Sequence, residues 1–329
     1  MFSQDIGIDL GTKTILIYVK DKGIVLREPS MIAVDKETGE VIAVGYEAKR
    51  MVGKTPKNIE IVQPLAKGVI SDYKLTEKLL KAYIKKINQR RFFPPKVMVC
   101  IPAQVTEVER KALIDVLSSL GVKKIFLLEE PIAAALGAGL DISKPQGNVI
   151  IDIGGGTTDM AVISYDATVK SKSVKIAGDT FDKAIKRYIK KKYNVKISMQ
   201  QAEDLKIAIG NVYSKYNEKE SEIIGKDVLT GIPKTLTVKT SDIYEALRPY
   251  VIEIIEEFKE LLEETPPELI TDIIEKGIYI TGGGSLIEGL DKLFKEMTGI
   301  NAIIAEDAIS CVAIGTGIAL KKMDIEEVK

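Results

Sequence analysis

One phrase occurs twice in this chain, and it restricts the fold more than any other feature. Residues 6–12 read Ile-Gly-Ile-Asp-Leu-Gly-Thr, and residues 149–158 read Val-Ile-Ile-Asp-Ile-Gly-Gly-Gly-Thr-Thr. In each, a short apolar strand ends in an aspartate, Asp9 or Asp152, and a glycine turn with a threonine follows. Glycine lets the backbone turn tightly and bring its N–H groups against an anion. The aspartate beside the turn can hold a hydrated divalent cation, because Mg²⁺ takes oxygen ligands and keeps several of its waters. Two such turns, one per half, predict two related lobes gripping one polyphosphate from opposite sides.

The repeat extends past the turns. Residues 15–19 and 24–26 read as strands joined by Asp21-Lys22-Gly23, a hairpin signal, and residues 160–164 and 169–176 repeat the pattern. Each half therefore opens with a three-stranded antiparallel meander. In the first half, Thr106-Glu107-Val108-Glu109 is a capping box that opens an amphipathic helix to Leu120, stopped at Gly121. Strands at 97–101 and 125–128 flank that helix, and Pro131 starts an Ala-rich helix to about Leu140. In the second half, a helix covers 179–193, a second capping box stands at Ser198 to Gln201, and a long helix runs from Ser241 towards Glu264 with a bend expected at Pro249. Pro266-Pro267 starts another helix, ended at Gly277, before a strand at 278–281. Two α/β lobes of related topology follow: residues 1–142 with 311–329, interrupted by an insertion at about 32–66, and residues 143–310, interrupted at about 182–240. No Pro/Ser-rich linker parts them, so they should meet closely with a cleft between them.

Composition removes several kinds of chemistry. The chain has 329 residues and no histidine, which excludes Ser-His-Asp and Cys-His catalysis and His-ligated zinc. Carboxylates, hydroxyls, lysines, backbone amides and a metal must do the work. Lys and Arg number 47 and Asp and Glu 47, so no global field draws the protein to nucleic acid. Cys100 and Cys311 sit in apolar contexts and read as buried free thiols. No apolar run reaches the length of a membrane span and residues 1–4 are too few for a signal peptide, so a cytoplasmic location is expected.

A third glycine turn, Gly282-Gly283-Gly284-Ser285, precedes the apolar periodicity Leu286, Leu290, Leu293, Phe294 and reads as a strand–glycine–helix junction able to meet an anion or nucleotide. Glu130 falls at the C-terminal end of a strand, where ligands gather in α/β folds; it could equally pair with a lysine or cap the Pro131 helix. Glu203 and Lys206, one turn apart, read as site residues or as a surface ion pair. Arg90-Arg91-Phe92-Phe93-Pro94-Pro95-Lys96 reads as a loop tucked on the preceding helix, or as a membrane-inserting tip with basic flanks.

Together these segments resemble the actin, Hsp70 and sugar-kinase superfamily, and within it bacterial actins of the MreB type, including Mbl. The matching segments are Asp5-Ile-Gly-Ile-Asp-Leu-Gly-Thr12, Gly23-Ile-Val-Leu-Arg-Glu-Pro-Ser30, Val108-Glu-Arg-Lys111 and Glu129-Glu-Pro-Ile-Ala-Ala-Ala135, followed by Asp152-Ile-Gly-Gly-Gly-Thr-Thr158, Ile176-Ala-Gly-Asp179, Thr265-Pro-Pro-Glu268 and Thr281-Gly-Gly-Gly-Ser285. The resemblance covers essentially the whole chain in order. It implies an actin-like (ribonuclease H-like) α/β fold, two lobes with duplicated βββαβαβ cores, and a slow Mg-dependent ATPase coupled to filament assembly.

By the same resemblance, Asp9 and Asp152 hold hydrated Mg²⁺. Gly11, Thr12, Lys13 and Thr14 wrap one side of the ATP phosphates, and Gly154, Gly155, Gly156, Thr157 and Thr158 the other. Glu130 and Thr157, with Asp152, are the catalytic set that positions the attacking water. Gly178 and Asp179 flank the nucleotide, while Glu203, Asp204, Leu205 and Lys206, with Gly282, Gly283, Gly284, Ser285 and Leu286, hold ribose and adenine. The implied partners are further copies of the chain in polar or antiparallel filaments, the inner face of the cytoplasmic membrane, and membrane proteins of the shape and wall-synthesis machinery. Two places depart from the family pattern: Lys13-Thr14 stands where relatives usually carry a small residue followed by Asn, and Lys13 is expected to reach the phosphates; Ala208 stands where many carry Glu. The chain opens without the amphipathic extension some relatives use as an anchor, which places the expected membrane contact on Phe92 and Phe93. The same fold also serves small-molecule kinases, which would need an acceptor pocket, Hsp70-like chaperones, which carry a further β-rich domain, and an actin that assembles without hydrolysis.

Overall fold

A computed structural model describes residues 5–87, 96–122, 124–213 and 218–327. Its frame is one sheet written twice. In lobe I the strand order is Lys124–Glu129, Lys96–Ile101, Ile6–Leu10, Thr14–Val19, Gly23–Pro29; in lobe II it is Ala302–Ile304, Ile278–Thr281, Asn148–Ile153, Thr158–Ser164, Ala167–Val174. In both sheets the three meander strands are antiparallel and the other two join parallel to the first. The registers agree as well: Asp9 lies opposite Leu16, and Asp152 lies opposite Asp159.

The apolar runs of the central strands are continuous because both faces of each sheet are covered. On the outer face of the lobe I sheet, Ile6, Ile8, Val97 and Val99 pack with Leu79, Leu80 and Tyr83 of the Tyr73–Ile87 helix and Leu113, Val116 and Leu117 of the Glu107–Ser119 helix. On the outer face of the lobe II sheet, Val149, Ile151 and Ile278 meet Phe181, Ile185, Val251, Ile254, Phe258 and Phe294 from the Gly178–Tyr193, Thr240–Glu263 and Leu290–Thr298 helices. A third core joins the lobes: Met98 and Cys100 of one sheet and Ile150 and Ala161 of the other close on Ala133 to Leu136 and on Val312, Ala319 and Leu320. Both cysteines are buried and free.

That central layer consists of two crossing helices, Glu130–Gly137 and Cys311–Glu327. They approach to backbone contact. A Cβ on Gly137 would sit 1.8 Å from the carbonyl oxygen of Cys311, and one on Gly315 would sit 1.8 Å from the carbonyl oxygen of Ala133. The two contacts are mates under the same pseudo-twofold that relates the sheets.

Both sequence-read capping boxes are present, at Thr106 with Glu109 and at Ser198 with Gln201. The Thr240–Glu263 helix runs through Pro249 as one element. The Pro131 helix ends at Gly137 rather than near Leu140, where the chain turns through Gly139 at φ 81°. The segment after the third glycine turn is also shorter than its periodicity predicts. Gly283–Leu286 is a single 3₁₀ turn, and the helix resumes only at Leu290. Residues between them are drawn into a bridge, with Val212 N–H donating to the Glu288 carbonyl (3.0 Å) and the chain passing Gly289 at φ 81°. The insertion in lobe I is a small sheet of Val41–Val44, Ile32–Asp35 and Ile59–Val62 with the Tyr46–Met51 helix; that in lobe II is a sheet of Val195–Lys196, Glu220–Asp227 and Pro233–Lys239 beside the Met199–Ile209 helix. Among the described residues no helix is long and apolar enough to cross a membrane.

Candidate active site

Between the lobes lies a cavity of about 380 Å³. Its inner end is walled by Asp9, Gly11, Thr12, Lys13 and Thr14 of lobe I and by Glu130, Asp152, Gly154, Gly155, Gly156 and Thr157 facing them. Its outer end is walled by Gly178, Glu203, Lys206, Ile207, Gly282, Gly283, Gly284 and Leu286, with Ile287 and Ile309.

The two repeated turns are held by their own hydrogen bonds. Ser30 Oγ donates to the Gly11 carbonyl (2.6 Å) and Ser30 N–H to the Lys13 carbonyl (2.9 Å). In the other turn Gly154 N–H donates to the Thr157 carbonyl (3.0 Å), while Gly178 and Asp179 N–H donate to the Gly154 and Gly155 carbonyls (3.1 and 2.8 Å). The turn Lys67-Gly68 reaches over from lobe I, where Gly68 N–H donates to Thr12 Oγ1 (2.9 Å). At the third turn, Gly282 sits at φ 82° with its Cα hydrogen side 2.3 Å, for a built Cβ, from the Ile153 carbonyl; only glycine fits there.

Four carboxylates gather at the inner end. Burial, then the charge of Asp152, pushes Asp9 up to about 8. Burial pushes Asp152 up to about 6, against the hydroxyl of Thr281, which donates to its Oδ1 (2.8 Å). Glu130 is held well above the ordinary carboxylate range by burial, then by Asp159, Asp9 and Asp152. Asp159, also raised by burial, takes hydrogen bonds from the side chains of Ser173 and Thr157, and its Oδ1 is buried without a partner among the described residues. A cation would complete such a cluster, since carboxylates that repel each other in a dry site ionise readily only beside positive charge. Among the described residues no three metal-ligating side chains converge on one point. Asp9 and Asp152 therefore suit an ion that keeps its water and shares phosphate oxygens, which is how Mg²⁺ binds.

Some sequence-read residues stand elsewhere. Thr158 is in the sheet, its Oγ1 donating to the Ile176 carbonyl (2.6 Å). Leu205 is in the lobe II core, and Asp204 accepts from Gln200 Nε2 (2.9 Å) outside the cavity. The reason is helical period: in Met199–Ile209, Glu203, Lys206 and Ile207 share one face, and a contiguous run cannot. Ser285 is buried, its hydroxyl donating to the Gly282 carbonyl (2.7 Å). Asp179 does not line the cavity but pairs with Lys13 (2.7 Å). Glu203 and Lys206 do not pair with each other: Glu203 meets Lys49 (3.2 Å) and Lys206 meets Asp182 (2.7 Å). Asp159, Asp182 and Gly68 escaped the sequence reading. Phe92 and Phe93 lie outside the described residues.

A sequence profile described as MreB/Mbl protein matches residues 3–328. The chain belongs to the MreB/Mbl family. Within this family of cell-shape-determining cytoskeletal proteins, Mbl of Bacillus subtilis (strain 168) is 49% identical over 325 residues, covering 98% of each chain. MreB of Escherichia coli (strain K12) is 44% identical over 331 residues, 99% of this chain and 95% of the relative. MreB 5 of Spiroplasma citri bound to AMPPNP superposes with a TM-score of 0.95 at 40% identity over 100% of both chains. The actin-like fold extends further: a chain of the MamK double helical filament superposes with a TM-score of 0.84 at 22% identity, over 97% of this chain and 98% of that one.

Proposed function

We propose that this MreB/Mbl protein binds ATP in the inter-lobe cavity, hydrolyses it slowly with Mg²⁺, and couples nucleotide state to self-assembly into filaments on the inner face of the cytoplasmic membrane, where they organise cell shape and wall synthesis. The observation that carries the reading is the meeting of Asp9, Asp152, Glu130 and Thr157 with two glycine turns around one cavity. The relative whose structure covers this whole chain was solved with AMPPNP, and the same protein with ADP.

The turn amides of 11–14 and 154–157 would hold the phosphates, one set from each lobe. Asp9 and Asp152 would hold a hydrated Mg²⁺, which would supply charge neutralisation at the phosphates. Thr157 and Glu130 orient water for attack, and Glu130 takes its proton. This is enough, because phosphoryl transfer needs positioning and charge stabilisation more than covalent chemistry. Lys206 and Glu203 suit ribose hydroxyls, and the exposed apolar side chains of Ile207 and Leu286, with Gly283 also lining the cavity, offer a flat adenine a wall on which to rest. Closure of the lobes on the γ-phosphate changes the surfaces offered to the next subunit.

Sedimentation with Mg-ATP, Mg-ADP or no nucleotide, with phosphate release followed in the same tubes, tests the reading. Nucleotide-dependent pelleting with slow release is expected; a soluble protein whose hydrolysis is stimulated by a small acceptor would overturn it in favour of a kinase. Membrane association is read by liposome co-sedimentation, which Phe92→Ser/Phe93→Ser should abolish.

A further inference from the structure

Lys13 stands on the lobe I turn, yet its ammonium has crossed to lobe II. Its Nζ is 2.7 Å from Asp179 Oδ1 and 3.4 Å from Asp182 Oδ2. The stem follows the same path: a Cβ on Gly155 would lie 2.3 Å from Lys13 Cγ, so the methylenes rest directly on the lobe II turn. Asp179 is itself tied to that turn, its N–H donating to the Gly155 carbonyl (2.8 Å). Lys13 thus touches the glycine turn and the start of the Gly178–Tyr193 helix together.

Charge balance makes this more than a neutralising contact. Asp182 is fully buried and already has Lys206 at 2.7 Å. Among the described residues Lys13 is the ion-pair partner of Asp179. A second lysine of lobe I does the same farther out, where Lys49 of the Tyr46–Met51 helix reaches Glu203 of the Met199–Ile209 helix at 3.2 Å. Lys13 and Glu203 both line the cavity, so two ionic ties cross between the lobes along its wall.

We propose that Lys13 is a positioning residue that clasps the lobes together through Asp179 and Asp182 and thereby sets how fast nucleotide leaves. The proposal rests on the nucleotide reading of the cavity but not on Lys13 touching phosphate. A partly exposed ion pair that must break before the lobes part slows opening by about fivefold, and its loss speeds opening by the same factor.

The experiment is a double-mutant cycle on dissociation of mant-ATP, followed by stopped flow in wild type, Lys13→Ala, Asp179→Asn and the double variant. Lys13→Ala is expected to raise the off-rate about fivefold, Asp179→Asn to raise it by no more because Asp182 remains, and the double change no more than Lys13→Ala alone. An off-rate raised by Lys13→Ala but unmoved by Asp179→Asn would overturn the clasp and make Lys13 a phosphate ligand only; additive effects would overturn it too. A second arm needs no nucleotide. Nitroxide labels at the exposed Glu47 and Glu222 report the inter-lobe distance in the free protein, and Lys13→Ala should broaden that distribution towards longer separations. Failure of wild type to bind mant-ATP would sink the nucleotide reading, whereas unchanged label distances in Lys13→Ala would sink the clasp.

Discussion

Gly315→Ala should be among the most damaging single-methyl additions available to this protein. The new Cβ would lie 1.8 Å from the Ala133 carbonyl oxygen, 2.6 Å from its carbon and 2.9 Å from its Cα. All three are backbone atoms of the other helix, so no rotamer relieves them, and the helices must part by roughly 1.5 Å to reach ordinary contact. Alanine gains about 1 kcal/mol in helix propensity over glycine. Overpacking of this kind costs about 3 kcal/mol, because Ala133, Ala134 and Ala135 lie fully buried in the layer being pried apart. The net loss is about 2 kcal/mol, a fall of about 3 °C in thermal midpoint for a chain of 329 residues. The chain has no tryptophan, so far-ultraviolet circular dichroism is the natural probe. Gly317→Ala is the control: its Cβ would meet the Tyr18 ring at 2.3 Å, a side chain that can turn aside, and it should cost less. Gly137→Ala, whose obstacle is the Cys311 carbonyl, should cost as much as Gly315→Ala. The pair together should cost less than their sum, since one separation relieves both. A Gly315→Ala protein stabilised by its added helix propensity would refute the close crossing.

Three further outcomes follow from the site. Glu130→Gln should bind mant-ATP like wild type while phosphate release falls on the order of a hundredfold or more; equal turnover would remove Glu130 from the chemistry. Asp9, raised from 3.8 to about 8, binds a proton in the fold that the unfolded chain has released, so metal-free protein should lose stability as pH rises through that window. Mg²⁺ competes with that proton and should raise the thermal midpoint more at about pH 8 than at about pH 6, with Asp9→Asn erasing the difference; an equal Mg²⁺ effect at both would refute the assignment. Asp182→Asn leaves Lys206 buried beside a neutral group and should cost about 3 kcal/mol in thermal or denaturant unfolding, whereas a neutral result would mean water reaches that pair.

The parts of this molecule legible in its sequence are those written locally. Both meanders, the glycine turns and the two capping boxes are patterns over a few neighbouring residues, and each forms where its pattern stands. The short helix after Gly282 was not legible, because an isolated bridge from the distant Asn211 to Glu288 interrupts a good amphipathic period. Asp182 reads as one more polar residue on the Gly178–Tyr193 helix until Lys206 and Lys13 are seen to enclose it. Asp159 is adjacent to a recognised motif, but its meeting with Glu130 depends on two elements whose order in space no local pattern encodes. The glycines of the helix crossing are the extreme case, since each is explained only by a carbonyl far away in the chain.

A cage built from two copies of one sheet could seat a ligand in either of two opposed orientations with nearly the same walls. Two stations remove that ambiguity here. Where Asp159 faces Asp152 in one sheet, Leu16 faces Asp9 in the other. Where the first crossing helix begins with the buried acid Glu130, the matching place before the second is the buried Ala308. Both acids belong to one side of the pseudo-axis and both apolar residues to the other, so the duplicated scaffold has acquired a reactive pole and an inert one. A leucine and an alanine at the inner end, with the inserted Met199–Ile209 helix at the outer end, make the cleft directional.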